Sequence, residues 1–128
     1  MNMRAPAIDR DSAPWWDALR AHRVVVQECR VCKRRWLPRT PACPYCGASK
    51  PNDRTITGDG VVYSFVRAHR AMSEAMADQV PYTIATVDLD GGGRVFARVE
   101  GECSIGQRVT PEFVDHDSWT ELRYRETR

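Results

Sequence analysis

Apolar positions follow two different rhythms along this chain, and the change falls near Gly58. From there onward hydrophobic and polar residues alternate with period two, the pattern of a strand with one buried face. "GDGVVYSFVRAH" sets Val61, Tyr63 and Phe65 against Val62, Ser64 and Val66. "PYTIATVDLD" predicts a second strand, and "GGGRVFARVEG" a turn followed by a third. "GQRVTPEFVDHD" and "WTELRYRE" supply a fourth and fifth, with Pro111 placing the fourth at an edge or a bulge. Five short strands with glycines at their corners predict a small Greek-key barrel of the OB type.

Upstream the spacing is helical. In "DSAPWWDALRAHR" Ser12 is a candidate N-cap, Pro14 sits in the first turn, and Trp15, Trp16, Leu19 and His22 recur every three or four residues. Neighbouring positions on a helix point about 100° apart, so Trp15 and Trp16 are not expected to share one small core. At least one is expected to meet another surface, of this protein or of a partner. "RVVVQEC" predicts a strand leading into a cysteine-rich segment, and "SKPNDRT" reads as a linker. The expected organisation is mainly β: an N-terminal helix and rubredoxin-like zinc ribbon over residues 1–50, then a five-stranded OB-fold barrel over residues 51–128. The connection "RAHRAMSEAMADQVPY" is long for so small a barrel, and Met72, Ala75 and Met76 are spaced as one soft apolar helical face.

The cysteines add chemistry to this frame. "CRVCKRRWLPRTPACPYCG" holds four of the five cysteines as two C-x-x-C pairs. Each pair presents two thiolates to one metal, and two pairs close a tetrahedron. Cys29, Cys32, Cys43 and Cys46 therefore predict one structural zinc ion with no open position for water. Two disulfides and a rubredoxin-like iron share the spacing; reducing surroundings argue against the first, and the polar flanks against the second. A metal also supplies what this segment lacks, because about 10–16 kcal/mol of apparent zinc-binding free energy can replace a hydrophobic core. The opening "MNMRAPAIDRDSAPWW" carries no apolar run of a secretory signal, so a cytoplasmic location is expected.

Charge separates the two halves. Residues 1–50 hold ten Lys/Arg against four Asp/Glu, and residues 51–128 nine against thirteen. A nucleic-acid-binding ribbon and barrel would use Arg30, Lys33, Arg34, Arg35 and Arg39 with Trp36 on phosphates and bases, yet an acidic barrel gives a strand no positive groove to follow. An accessory subunit, docking through the helix tryptophans on a larger enzyme, is the other reading. Catalytic machinery is not placed by the sequence. His22 sits at the helix end, His116 in what reads as a solvated acidic turn, "DHDS", and His69 beside Arg70 at the start of the long connection. Cys103 stands alone as a small, partly buried residue, and Asp88 and Asp90 mark a hairpin end.

Taken in order, W-x-x-L (Trp16, Leu19), the two C-x-x-C pairs, "PR" (Pro38, Arg39), "CPYCG", G-x-G-x-V-Y-S (Gly58, Gly60, Val62, Tyr63, Ser64), "HR" (His69, Arg70), "PY" (Pro81, Tyr82) and "IG" (Ile105, Gly106) resemble the zinc-ribbon and OB-fold family of acyl-CoA-associated proteins. The resemblance runs from about residue 12 to about residue 114. It departs at Lys33, where the family more usually has glycine, and in the Met/Ala-rich connection. The resemblance implies a subunit with no catalytic residues of its own. Such a subunit binds a thiolase-like or lipid-transfer-like enzyme (thiolase, aldolase or acyltransferase) and helps hold its acyl-CoA substrate in fatty acyl, steroid side-chain or aromatic acyl-CoA degradation. Carried onto this chain, it implies Arg39, Tyr63, Phe65, His69, Arg70, Met72 and Met76 as acyl-CoA-facing positions, and Trp15, Trp16 and Leu19 as partner-facing ones.

Overall fold

Val24, Val25 and Val26 carry β-branched side chains that pack well on a pleated surface. They open strand β1 (Val24–Glu28), which pairs antiparallel with β2 (Arg35–Trp36) on one side and β3 (Asn52–Ile56) on the other. The computed structural model describes residues 4–71 and 73–128. The linker expected at "SKPNDRT" is thus corrected: its second half is β3, in register from Val24↔Ile56 to Glu28↔Asn52. Its polar sequence is that of an exposed edge strand, whose stability comes from the ladder rather than from burial.

The five predicted barrel strands all form. They are β4 (Gly60–Ala68), β5 (Tyr82–Leu89), β6 (Arg94–Glu100), β7 (Arg108–Asp115) and β8 (Thr120–Glu126). They close in the order β4-β5-β6-β8-β7, antiparallel throughout except for the β6–β8 pair. This is an OB-type Greek-key barrel. Pro111 pairs with Tyr124 of β8, on a stretch of β7 that has no partner on its other side, as a residue without an N–H requires. A bulge between Val62 and Ser64 bends β4.

Helix α1 (Ala13–Arg20) lies against β1 and β8. Ser12 occupies the N-cap position, but its hydroxyl does not bond a helix N–H; it accepts from the Asp9 N–H at 3.1 Å. Leu19, Val24 and Val26 are buried in the same cluster as Val62, Val87, Val109 and Tyr124. The core therefore runs without a break from helix through ribbon strand to barrel. Tyr124, fully buried, donates its hydroxyl to the Gly58 carbonyl at 2.7 Å, and burial pushes its pKa up. No helix among the described residues is long and apolar enough to cross a membrane.

The "GGG" turn between β5 and β6 is more than a hairpin end. It is pressed onto the ribbon: a Cβ on Gly92 would stand 2.7 Å from Cβ of Arg35, and one on Gly93 would stand 2.8 Å from the backbone nitrogen of Leu37. Both glycines have positive φ, 103° and 86°. Arg35 completes the joint by donating to the Gly91 carbonyl at 3.2 Å. Gly93→Ala combines a left-handed backbone with a clash against immobile main chain, so it should lower stability by about 1–3 kcal/mol. Urea unfolding measures it; an unchanged midpoint would show that the turn and ribbon are not in contact.

Candidate functional site: a four-cysteine ribbon and an adjoining apolar groove

The ribbon is built by two knuckles. Cys29 directly follows β1, and the N–H groups of Val31 and Cys32 both donate to its sulfur at 3.3 Å. Tyr45 N–H donates to Cys43 Sγ at 3.4 Å. These donors stabilise thiolate charge: led by the Cys32 N–H and helped by that of Val31, they hold the Cys29 thiol down at about 6 against the opposing effect of burial. Gly47 follows the second knuckle at φ 82°, and Lys33 takes the equivalent left-handed place in the first at φ 66°. Glycine would adopt that conformation without the strain of roughly 1–2 kcal/mol that a Cβ brings.

The four sulfurs lie within 4.8 Å of one another. Cys29 and Cys46 are 3.5 Å apart, and Cys32 and Cys43 are 3.6 Å apart. A tetrahedron with Zn–S bonds of about 2.3 Å needs sulfurs about 3.8 Å apart, whereas a disulfide needs about 2.05 Å. The donor set fits a structural zinc ion with all four positions filled. Trp36 packs on Cys29 and Cys43 in a small cluster of its own, and the buried Gln27 side chain accepts from the Thr40 N–H at 2.7 Å, tying the knuckle loop to β1.

Beside the ribbon lies a groove of about 740 Å³. Trp15 and Trp16 of α1 form one wall, Leu37 and Pro38 of the ribbon a second, and Ile84 and Phe96 on the outer face of the barrel a third. Trp119 closes one end, meeting Trp16 edge-on at 5.8 Å. Three guanidinium groups stand at the rim, each already anchored. Arg39 binds Asp53 at 2.9 Å. Arg94 binds Asp88 at 2.6 Å and lies over the Tyr63 ring at 4.1 Å. Arg98 binds Glu100 at 3.3 Å and lies over Tyr82 at 5.2 Å. Behind Trp119, His116 stacks at 4.6 Å and contacts Glu121 at 2.9 Å, and Arg123 bridges Glu121 to Glu100. Burial raises the Glu121 pKa, but bonds to Arg123 and His116 outweigh it and hold the carboxyl below its ordinary value. His116, expected in a solvated turn, is instead only 9% exposed; the reason is this ring stack and ion pair.

The structure brings some of the expected residues together and leaves others apart. Arg39 and Met76 line the groove with Trp15 and Trp16. Both tryptophans are half-buried and form one shared groove wall rather than filling the core. Leu19, expected at a partner surface, is 1% exposed; its side chain sits in the core beneath the groove. Tyr63 reaches the rim only through Arg94. Phe65 pairs with the buried Ala85 and so lies on the sheet face opposite Ile84. His69 and Arg70 are exposed just beyond β4 and are absent from the groove walls. Met72 lies outside the described residues. Ile84, Arg94, Phe96, Arg98 and Trp119 escaped the sequence reading. Arg94, Phe96 and Arg98 had left a signal, since an aromatic residue flanked by two arginines at alternate positions of one strand shares one outward face with them.

Fold and metal centre together define a zinc ribbon packed on an OB barrel. Comparison with known proteins narrows this class. Residues 16–51 match the family described as "ChsH2, rubredoxin-like zinc ribbon domain", and residues 53–114 match "ChsH2, C-terminal OB-fold domain". The solved "Ltp2-ChsH2(DUF35) aldolase" contains a chain 33% identical to this one, with a TM-score of 0.84 over 95% of this chain and 98% of that one. A DUF35 protein of Sulfolobus solfataricus, 16% identical with a TM-score of 0.67 over 92% and 86% of the two chains, shares the fold. This chain belongs to the ChsH2-type zinc-ribbon and OB-fold family, DUF35. Among curated proteins it is 34% identical to a "Probable enoyl-CoA hydratase alpha subunit" of Thermomonospora curvata over 88% of its length. It is 30% identical to the "3-oxo-4,17-pregnadiene-20-carboxyl-CoA hydratase alpha subunit" of Mycobacterium tuberculosis over 92% of its length. It spans only 36% and 38% of those two proteins.

Removing the metal should free residues 29–50 to unfold, while β1 stays pinned by β3 and the barrel core. Hydrogen exchange after chelation at neutral pH should show lost protection in the knuckles and retained protection in β5, β6 and β8. Knuckle amides that remain protected without metal would contradict this.

Proposed function

We propose that this chain is a non-catalytic accessory subunit that docks on a thiolase-like or lipid-transfer-protein-like enzyme and helps bind its acyl-CoA substrate in the cytoplasm. The observation that carries the reading is its near end-to-end likeness to a chain of the Ltp2-ChsH2 aldolase. The groove supports the ligand. Aromatic walls suit an apolar acyl group, and Arg39, Arg94 and Arg98 at the rim suit the phosphates of its CoA carrier. We divide the chain at residue 50 into ribbon and barrel, two units on a shared core.

Two of the three histidines are held in structural contacts, while His69 is exposed outside the groove. His22 stacks on Phe113 at 4.9 Å and contacts Asp115 at 3.0 Å. His116 is held by Glu121 and Trp119, and burial raises the pKa of the Cys103 thiol. On this reading the reacting groups belong to the partner.

Affinity purification of the tagged chain from its native host should recover a thiolase-like or lipid-transfer-like subunit. Titration calorimetry of that complex with its acyl-CoA should show Phe96→Ala and Arg39→Ala each weakening binding about fivefold to tenfold, equivalent to roughly 1–1.4 kcal/mol. Arg128→Ala, at the exposed C-terminus, should leave affinity unchanged. Recovery of nucleic acid in place of such a subunit, or equal effects of all three variants, would refute the proposal.

A further inference from the structure

Residues 29–50 contain six Lys/Arg and no Asp/Glu. Part of that excess has a local explanation. Arg35 pairs with Glu28 at 3.0 Å and Arg39 with Asp53 at 2.9 Å. Four thiolates around one divalent ion leave a charge of −2, which further cations offset. The segment nonetheless keeps a surplus of positive charge. Among the described residues, Arg30, Lys33, Arg34 and Lys50 take part in no ion pair.

Beside these cations in the chain, the two knuckles expose apolar side chains. Val31 is 72% exposed and Tyr45 55%, and Pro44 beside it is exposed as well. The Arg34 guanidinium lies over the Tyr45 ring at 4.9 Å, joining the first knuckle to the second. Exposed apolar side chains interleaved with arginine and lysine, on a scaffold built for a metal, have the make-up of a protein-interface anchor.

We propose that this knuckle tip is the surface by which the ribbon docks on an acidic, apolar-centred patch of the partner enzyme subunit. The proposal rests on the accessory-subunit reading and names the part of this chain that makes the contact. Charge complementarity selects the partner's sign: a surface rich in Asp and Glu satisfies Arg30, Lys33 and Arg34, and an apolar notch covers Val31 and Tyr45. Nucleic acid fits less well. Arg34 already covers one face of Tyr45, and a strand leaving the ribbon would run onto residues 51–128, which hold thirteen acidic and nine basic residues. A lone phosphate gives Val31 no role.

The test measures association of the full chain with the thiolase-like subunit recovered with it, by biolayer interferometry at 50 and 300 mM NaCl. Wild-type affinity should fall about tenfold with salt. The triple variant Arg30→Glu/Lys33→Glu/Arg34→Glu should bind at least thirtyfold more weakly at 50 mM and lose most of the salt response. Val31→Asp, which leaves every cation in place, should weaken binding at least fivefold. Both variants must retain one zinc per chain, which separates docking from folding. A triple variant that holds its zinc and binds as wild type overturns this proposal while leaving the accessory-subunit reading intact. Wild-type chain that binds no such subunit overturns both. Oligothymidylate or free CoA bound by wild type and lost in the triple variant, with subunit association unchanged, overturns it in favour of a nucleic-acid or phosphate site.

Discussion

The burial of Val24 and Val26 in the barrel core is the contact on which the rest of the structure depends. These side chains sit on the strand that delivers Cys29 to the metal centre, yet they pack with Val62, Val87 and Tyr124 of the barrel. A ribbon of this size has no core of its own beyond Trp36 and the cysteines. Metal fixes its internal geometry, and β1 fixes where it stands. The glycine turn pressed against Arg35 and Leu37 adds a second point of attachment, so the ribbon is held by the β5–β6 turn as well as by β1 rather than swinging on a tether.

The groove is a consequence of that attachment. No single element encloses it: α1 contributes tryptophans, the ribbon contributes Leu37 and Pro38, and the barrel contributes Ile84 and Phe96. Each rim arginine is held by a carboxylate, and two also lie over tyrosine rings. Such pre-ordering reduces the entropy lost when an anion binds, and the paired carboxylates offset the mutual repulsion of the cations. The apolar walls and the basic knuckle tip lie on the same scaffold, so the proposed ligand and the proposed partner would meet different surfaces of one subunit.

Much of the fold was legible because local and global preferences agree. Period-two alternation located all five barrel strands, and two C-x-x-C pairs located the four-sulfur site. Strand β3 was missed because "NDRTI" is polar and exposed, and only its ladder with β1 makes it a strand. His116 looked solvated because its neighbours Asp115 and Asp117 are acidic, while the groups that bury it, Trp119 and Glu121, come from the return of the same turn. The groove was the least legible feature. Its walls come from segments as distant as residues 15 and 119, and nothing in Leu37 or Pro38 announces that they face Trp15. The face Arg94–Phe96–Arg98 could have been read, had the exposed side of β6 been given the same weight as its buried side.

The central claim is that the metal-stapled ribbon is a structural wall of the groove. Tryptophan emission of a Trp36→Phe chain tests it directly, because Trp15, Trp16 and Trp119 then report from the groove with no signal from the ribbon core. Extraction of the metal should shift that emission to the red as the Leu37–Arg39 wall is lost, while circular dichroism from the barrel strands persists. Emission that stays unchanged with the metal removed would show that the groove stands without the ribbon, and would contradict the account.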